Sequence, residues 1–242
     1  MIAICGNFDV ERVKPALKEF GVSARFNVYP ENGGEINAFE AVFICNDTTE
    51  NTAKWVGANC MRLSSTETGL IDDIKFLFGM GQKLEIERKF LIEMPNLELL
   101  LNDPLCEKAE IEQCYINEPD SSFRVRKRTL KGHTIYIKTE KIKLNEMTHV
   151  ENESAITKEQ YENAVKGNKV LSKTRYLYVF ENQYFEIDVF PFWENVAVME
   201  LELKSENAPY TLPPQFEYIE EVTERPQFKN KYIAQKYGTV KE

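Results

Sequence analysis

Glu85, Glu87 and Lys89 alternate along Glu-Ile-Glu-Arg-Lys, and about six later segments repeat this spacing of charge. In a strand, residues i and i+2 share a face. Arg124, Arg126 and Arg128 then line up, as do Lys138 with Glu140, Glu151 with Glu153 and Lys173 with Arg175. Glu186 joins Asp188, and Glu200 joins Glu202 and Lys204. Carboxylate pairs suit hard divalent cations, which take oxygen ligands. The arginines and lysines suit phosphate oxygens, where guanidinium makes forked hydrogen bonds. Like charges two apart repel, by roughly 0.2–1 kcal/mol on an exposed strand face. A chain that repeats this cost points to a ligand that offsets it, although any one strand alone reads as an ordinary amphipathic one.

The elements that position these charges follow from the residues between them. Ile86 and Phe90, Phe123 and Val125, Ile135 and Ile137, Ile187 and Val189, and Met199, Leu201 and Leu203 form the opposite faces. Helices are expected over 97–101, over 158–166 after the cap Thr157, and over 229–237. About eight antiparallel strands with charge on one side fit a closed barrel with helices outside it. Charge inside a barrel must be paired or hold an ion.

These motifs, in this order, resemble the CYTH superfamily, the triphosphate tunnel metalloenzymes. The resemblance runs from about residue 83 to the C-terminus, through Glu85-x-Glu87-x-Lys89, Arg124-Val-Arg126, Lys138, Glu151-Asn-Glu153, Lys173-Thr-Arg175, Glu186-Ile-Asp188, Glu200-Leu-Glu202 and Phe228-Lys-Asn-Lys231. It implies an α+β chain whose C-terminal part, 83–242, is a closed antiparallel barrel forming a charged tunnel. It implies Lys89, Arg124, Arg126, Lys138, Arg175 and, more weakly, Lys173 as phosphate ligands, with Lys231 or Lys229 as a late basic residue. Glu85, Glu87, Glu200 and Glu202 match metal carboxylates; Glu153 and Asp188, and less clearly Glu151, look like further metal or water ligands. The implied cofactor is Mg²⁺ or Mn²⁺, in a two-metal site. The implied reaction is hydrolysis of the terminal phosphate of a small triphosphate, with inorganic tripolyphosphate leading because little provision for a base is visible. A class IV-type adenylyl cyclase is the alternative. That subgroup carries His-Phe ahead of Glu-x-Glu-x-Lys, where this chain has Gly81-Gln-Lys-Leu84. Thiamine triphosphatase, RNA 5′-triphosphatase and a non-catalytic polyphosphate or nucleotide sensor are further options.

Residues 1–80 read differently. Apolar strands at 2–5, 24–29, 41–45 and 60–63 alternate with helical patterns through Val13, Leu17 and Phe20, over 48–56, and over 69–78. This is a small α/β unit, with Pro15 expected near the first turn of its helix. The boundary is expected at Gly79-Met-Gly-Gln82. There is no G-x-G-x-x-G and no P-loop lysine. Asp9, Asp47 and Thr48 fall near expected strand ends, where open α/β sheets bind ligands, but Asp9 and Asp47 read rather as turn or N-cap residues, and the unit as a docking or regulatory module of unidentified partner.

The remaining features exclude more than they indicate. Of 242 residues, 43% are hydrophobic, and the net charge is −9. Residues 1–82 hold 7 basic and 11 acidic side chains, hence −4, leaving −5 for the rest. This balance argues against a nucleic-acid-coating surface, so positive charge for a polyanion must be concentrated locally. Five cysteines without C-x-x-C spacing predict buried thiols. No basic n-region precedes Met1-Ile-Ala-Ile-Cys, and no apolar stretch reaches the ~20 residues of a membrane span. A cytoplasmic location is expected, and a homodimer is compatible with the pattern. His133 is expected in a solvated turn, and His149 exposed on the face opposite Glu151. Trp55 and Trp193 are expected to pack, the latter in a Pro191-Phe-Trp loop. Gln113 and Tyr115 share a face and are expected to reach the barrel interior.

Overall fold

A computed structural model describes residues 1–19, 22–30, 38–39, 41–55, 58, 61–64, 66, 69–71, 73–74, 84–103, 106–117, 122–181, 183–203 and 205–241. The chain divides into two compact units, Met1–Met80 and Gly81–Glu242. The linking segment 79–82 lies outside the described residues.

In the first unit, β1 (Ile2–Gly6), β2 (Ala24–Phe26), β3 (Val42–Cys45) and β4 (Met61–Ser64) form a parallel sheet of order β2-β1-β3-β4. Ile2 to Cys5 and Val42 to Cys45 are buried throughout. Continuous apolar runs of this kind belong to parallel strands covered on both faces. Helices α1 (Val10–Glu19) and α2 (Thr49–Ala53) connect them, α2 being capped by Thr48, whose side chain accepts from the Asn51 N–H. Pro15 lies inside α1 rather than at its first turn, so the helix tolerates one missing backbone donor there. β2 stops at Phe26, short of the expected residue 29, because Asn27 takes φ 50° and its Oδ1 accepts the Gly6 N–H at 2.8 Å. Trp55 is fully buried and meets Phe39 edge-on at 5.5 Å. Of the expected helix over 69–78, only residues 69–71 and 73–74 are described, and they are helical.

The second unit contains β5 (Leu84–Glu93), α3 (Leu97–Asn102), β6 (Cys106–Asn117), β7 (Ser122–Leu130), β8 (His133–Lys143), β9 (Thr148–Ala155) and α4 (Lys158–Val165). It continues with β10 (Lys169–Phe180), β11 (Gln183–Val189), β12 (Val196–Glu202), β13 (Tyr218–Glu221), α5 (Asn230–Tyr237) and β14 (Thr239–Val240). Eight antiparallel strands pair in the cycle β5-β9-β8-β7-β6-β10-β11-β12, and β12 returns to β5. Closure removes the free edges of the sheet. The outward faces supply two apolar cores. One gathers Phe90, Phe185, Ile187, Met199 and Leu201. The other seats Tyr161 and Val165 of α4 on Cys114, Val125 and Val170. A capping box between Thr157 and Gln160 starts α4.

Two expectations are corrected. β8 was expected to carry Lys138 beside the arginines and Ile135 with Ile137 on the outer side. The two-residue turn Lys131-Gly132, with φ 46° and 82°, instead pairs Leu130 with His133. That register sets Ile137 against Arg126, Ile135 against Arg128 and Lys138 against the core residue Val125. Side chains alternate with period two, so the turn decides which set points inward. The helices are also not all outside. Leu171, Phe190 and Val198 lie two residues from Lys173, Asp188 and Glu200, on the charged face, and pack with Ile233 and Ala234 of α5. Helix α5 therefore caps one end of the barrel's inner face.

Candidate functional site

The inward faces bring the charges of seven strands together, in two linked groups. In the first, Lys89 on β5 bonds Glu200 on β12 and lies 3.1 Å from Glu87. Arg175 on β10 donates from Nε and Nη2 to Asp188 of β11 at 2.6 and 2.7 Å, and from Nη2 to Glu200 at 2.7 Å; Nη1 reaches Glu186. Lys173 pairs with Asp188 and donates to Asn230 Oδ1 at 3.2 Å. Lys89, Lys173, Arg175, Asp188 and Glu200 are all buried. Burial pushes Glu200 upward, but Lys89 and then Arg175 hold it well below the usual range. Asp188 is likewise held down by Arg175 and Lys173 against its burial. Burial, followed by Arg175, lowers Lys173 to about 8.

The second group lies around the junction of β5, β9, β8 and β7. Arg124 Nη2 approaches Glu153 at 3.3 Å and Glu151 at 3.8 Å, and donates to Thr139 Oγ1 at 3.1 Å. Lys141 bonds Glu85 and lies 3.2 Å from Glu151 and 3.8 Å from Glu87. Desolvation, then Glu87, raises Glu85 to about 8, although Lys141 opposes both. Glu87 is lowered, because Lys89 and Lys141 outweigh its burial. Glu151 falls to about 2 against its burial, drawn by Arg124 and then Lys141.

Such pairing is also what a purely structural network would show. Two side chains do not fit that description. Arg126 is buried, its Nε has no hydrogen-bond partner, and no ion pair among the described residues reaches it. Burial and then Arg124 and Arg175 push it below the usual arginine value. His149 is buried, with an unpartnered Nδ1. Each Glu85, Glu87 and His149 offers a ligand atom, and these atoms lie within 4.8 Å of one another. Burial, then Lys141, lowers His149 to about 4, so its imidazole is neutral at pH 7.

The expected residues divide accordingly. Glu85, Glu87, Lys89, Arg124, Arg126, Glu153, Lys173, Arg175, Asp188 and Glu200 share the inner face, with Glu151 as a full member. Glu202 stands opposite Glu87 at the exposed end of β12. Lys138 is not among them: it pairs with Glu140 at 2.9 Å and covers the Phe123 ring at 4.4 Å. Lys141 supplies the β8 ammonium instead. Lys229 is tied to Glu146 at 2.6 Å, and Lys231 to Asn117 Oδ1 at 3.1 Å. The residue of that segment that meets the buried group is Asn230, 3.4 Å from Glu200. His149, expected exposed on the opposite face, is instead buried on the face of Glu151, as i+2 spacing on one strand requires. Gln113 and Tyr115 stand opposite Arg126 and Arg124, and Gln113 Nε2 donates to Tyr115 Oη at 3.1 Å. Trp193 packs against Phe190 at 5.0 Å. No helix among the described residues is long and apolar enough to cross a membrane, and Cys5, Cys45, Cys106 and Cys114 are buried thiols.

The family model of the CYTH domain matches residues 83–234. An inorganic triphosphatase of Nitrosomonas europaea is 34% identical over 156 residues, covering 62% of this chain and 96% of that protein. Among solved structures, one of an inorganic triphosphatase is 32% identical, covers 62% of this chain and 93% of its own, and has a TM-score of 0.40. A Hippeastrum protein described as a candidate adenylyl cyclase with a dominant triphosphatase activity is 15% identical over 50% of this chain and 80% of its own, with a TM-score of 0.37.

Proposed function

The chain belongs to the CYTH domain family, and on that premise we propose that residues 81–242 hydrolyse the terminal phosphate of a small triphosphate within a charged tunnel inside the barrel. Inorganic tripolyphosphate is the leading substrate, in line with the activity for which the Nitrosomonas relative is named. The observation that carries the reading is Arg126. A buried guanidinium that feels Glu153 and Glu186 but has no ion pair among the described residues is costly, and an oligophosphate chain beside Arg124 and Arg175 would supply a direct counter-anion. Arg124, Arg126, Arg175 and Lys89 present forked donors and point charges to the non-bridging oxygens. Lys173, Lys141 and Lys231 add positive charge around them.

The chemistry of the donor set fits a divalent cation. Glu85 is held partly protonated by its crowded neighbours, a state that a cation relieves. Glu85, Glu87, Glu200 and Glu202 would hold it, with Glu153 and Asp188 as further oxygen donors. Mg²⁺ or Mn²⁺, when bound, would screen the phosphate charge and acidify the attacking water. Thr139 and Glu153 orient Arg124, while Asp188 and Glu186 orient Arg175, so both guanidinium groups are preorganised for developing charge.

The test is product analysis with purified full-length protein, Mg²⁺ or Mn²⁺, and a panel of triphosphates. Release of phosphate from tripolyphosphate, abolished in Glu87→Gln and Glu202→Gln, is expected. Cyclic AMP with pyrophosphate from ATP would replace the reading by a cyclase. Tight binding without turnover, across metals and substrates, would replace it by a sensor.

A further inference from the structure

The register of β5 against β9 puts Glu85 directly opposite His149. Directly opposed residues of an antiparallel pair share a face, and Glu87, two residues on, is the diagonal neighbour. The imidazole is thereby delivered to the carboxylate pair by strand pairing alone. His149 is 93% buried by the 7% of its surface that remains exposed, and its Nδ1 has no partner. Two further observations fit a cation at this position. The three ligand atoms lie within 4.8 Å of one another. The ammonium of Lys141 already rests on Glu85, near Glu87, as a positive charge among them.

We infer that His149 is a nitrogen ligand which, with Glu85 and Glu87, makes this a transition-metal site selective for Mn²⁺ over Mg²⁺. The inference rests on the divalent-cation reading above and narrows it. Mg²⁺ prefers oxygen ligands and keeps its waters. Imidazole raises affinity for first-row transition ions, of which Mn²⁺ is also at ease with carboxylates. Two carboxylates and one buried imidazole form a mixed set that Mg²⁺ exploits poorly.

Mn²⁺ added to the full-length protein provides the test, read by pulsed electron paramagnetic resonance without substrate. A ¹⁴N modulation from a directly bound imidazole is expected, replaced by the ¹⁵N pattern when the protein is labelled with ¹⁵N-histidine. It is expected to vanish in His149→Gln and to persist in His133→Gln, a substitution of the chain's only other histidine. The Mn²⁺ dissociation constant should rise at least about tenfold in His149→Gln, given that even outer-shell partners are worth that much. The Mg²⁺ constant should move less. Mn²⁺ bound with oxygen coordination alone in the wild-type protein overturns the inference and leaves the triphosphatase reading standing. Failure to bind either ion overturns both. The wild-type spectra keep the test valid even if a variant does not fold.

Discussion

Each unit of this chain holds a carboxylate in close contact with other groups, and the two are treated in opposite ways. In the first, Asp47 accepts from Tyr29 Oη at 2.5 Å, from Asn51 Nδ2 at 2.9 Å and from the Thr48 N–H at 2.7 Å. Burial pushes it up, but these donors hold it below its usual value. In the barrel, Glu85 faces Glu87, Glu151, His149 and Lys141, and is raised to about 8. Asp47 is satisfied by neutral donors that its own fold provides. Glu85 has the Lys141 ammonium, but burial and the neighbouring Glu87 outweigh it. One arrangement serves stability; the other, on the function proposed above, suits a ligand.

The strongest challenge to this contrast is to break the paired part of the barrel. Asp188→Ala strands Lys173 and Arg175 and should cost about 3–5 kcal/mol of stability, measured by denaturant unfolding; a loss below 1 kcal/mol would mean that the network is solvated. Arg126→Met should behave in the opposite way, because no ion pair among the described residues is broken and only the longer-range pull of Glu153 and Glu186 is lost. Stability should hold or rise, while triphosphate turnover falls by about 10²–10³ at saturating substrate. Turnover within a few-fold of wild type would end the role assigned to Arg126.

In the first unit, Gly6→Ala tests a purely structural position. Gly6 has φ 106°, and a Cβ there would lie 1.9 Å from the Cys45 carbonyl oxygen. Destabilisation of residues 1–80 by about 1–3 kcal/mol is expected, followed by hydrogen exchange, with the hydrolytic rate retained. A smaller effect comes from pH. Asp47 is depressed in the folded state, so its contribution is present above its ordinary 3.8 and is lost as pH falls further. Glu85 is raised, so the metal-free barrel binds an extra proton between 4.5 and about 8. Its contribution is complete below 4.5 and disappears as pH rises through about 8. Thermal unfolding against pH should therefore slope in opposite senses, the acid slope vanishing in Asp47→Asn and the neutral slope in Glu85→Gln. The smallest effect is expected from Lys138→Ala, which removes an exposed pair worth less than about 1 kcal/mol. Its steady-state kinetics should stay near wild type, whereas Lys141→Ala should raise KM for the triphosphate.

Most of the barrel was readable because period-two alternation is a local property: neighbouring residues on a strand must face opposite ways wherever the strand lies. That reasoning placed Arg124 with Arg126, Lys173 with Arg175 and Glu200 with Glu202, and had it been applied to His149 it would have put that residue beside Glu151. Alternation could not say which set points inward on β8. The Lys131-Gly132 turn decided it, exchanging Lys138 for Lys141.

What the sequence determined by itself is the supply of charges and their two-residue spacing, since both are written along one strand at a time. Which acid meets which base, why Arg126 Nε and His149 Nδ1 lack hydrogen-bond partners, and how α5 comes to cap the inner face were decided only by closing eight strands into a ring. The reason is physical: hydrogen-bond register and barrel closure bring residues more than a hundred positions apart to within a few ångströms, as with Lys89 and Glu200, and no local pattern carries that distance.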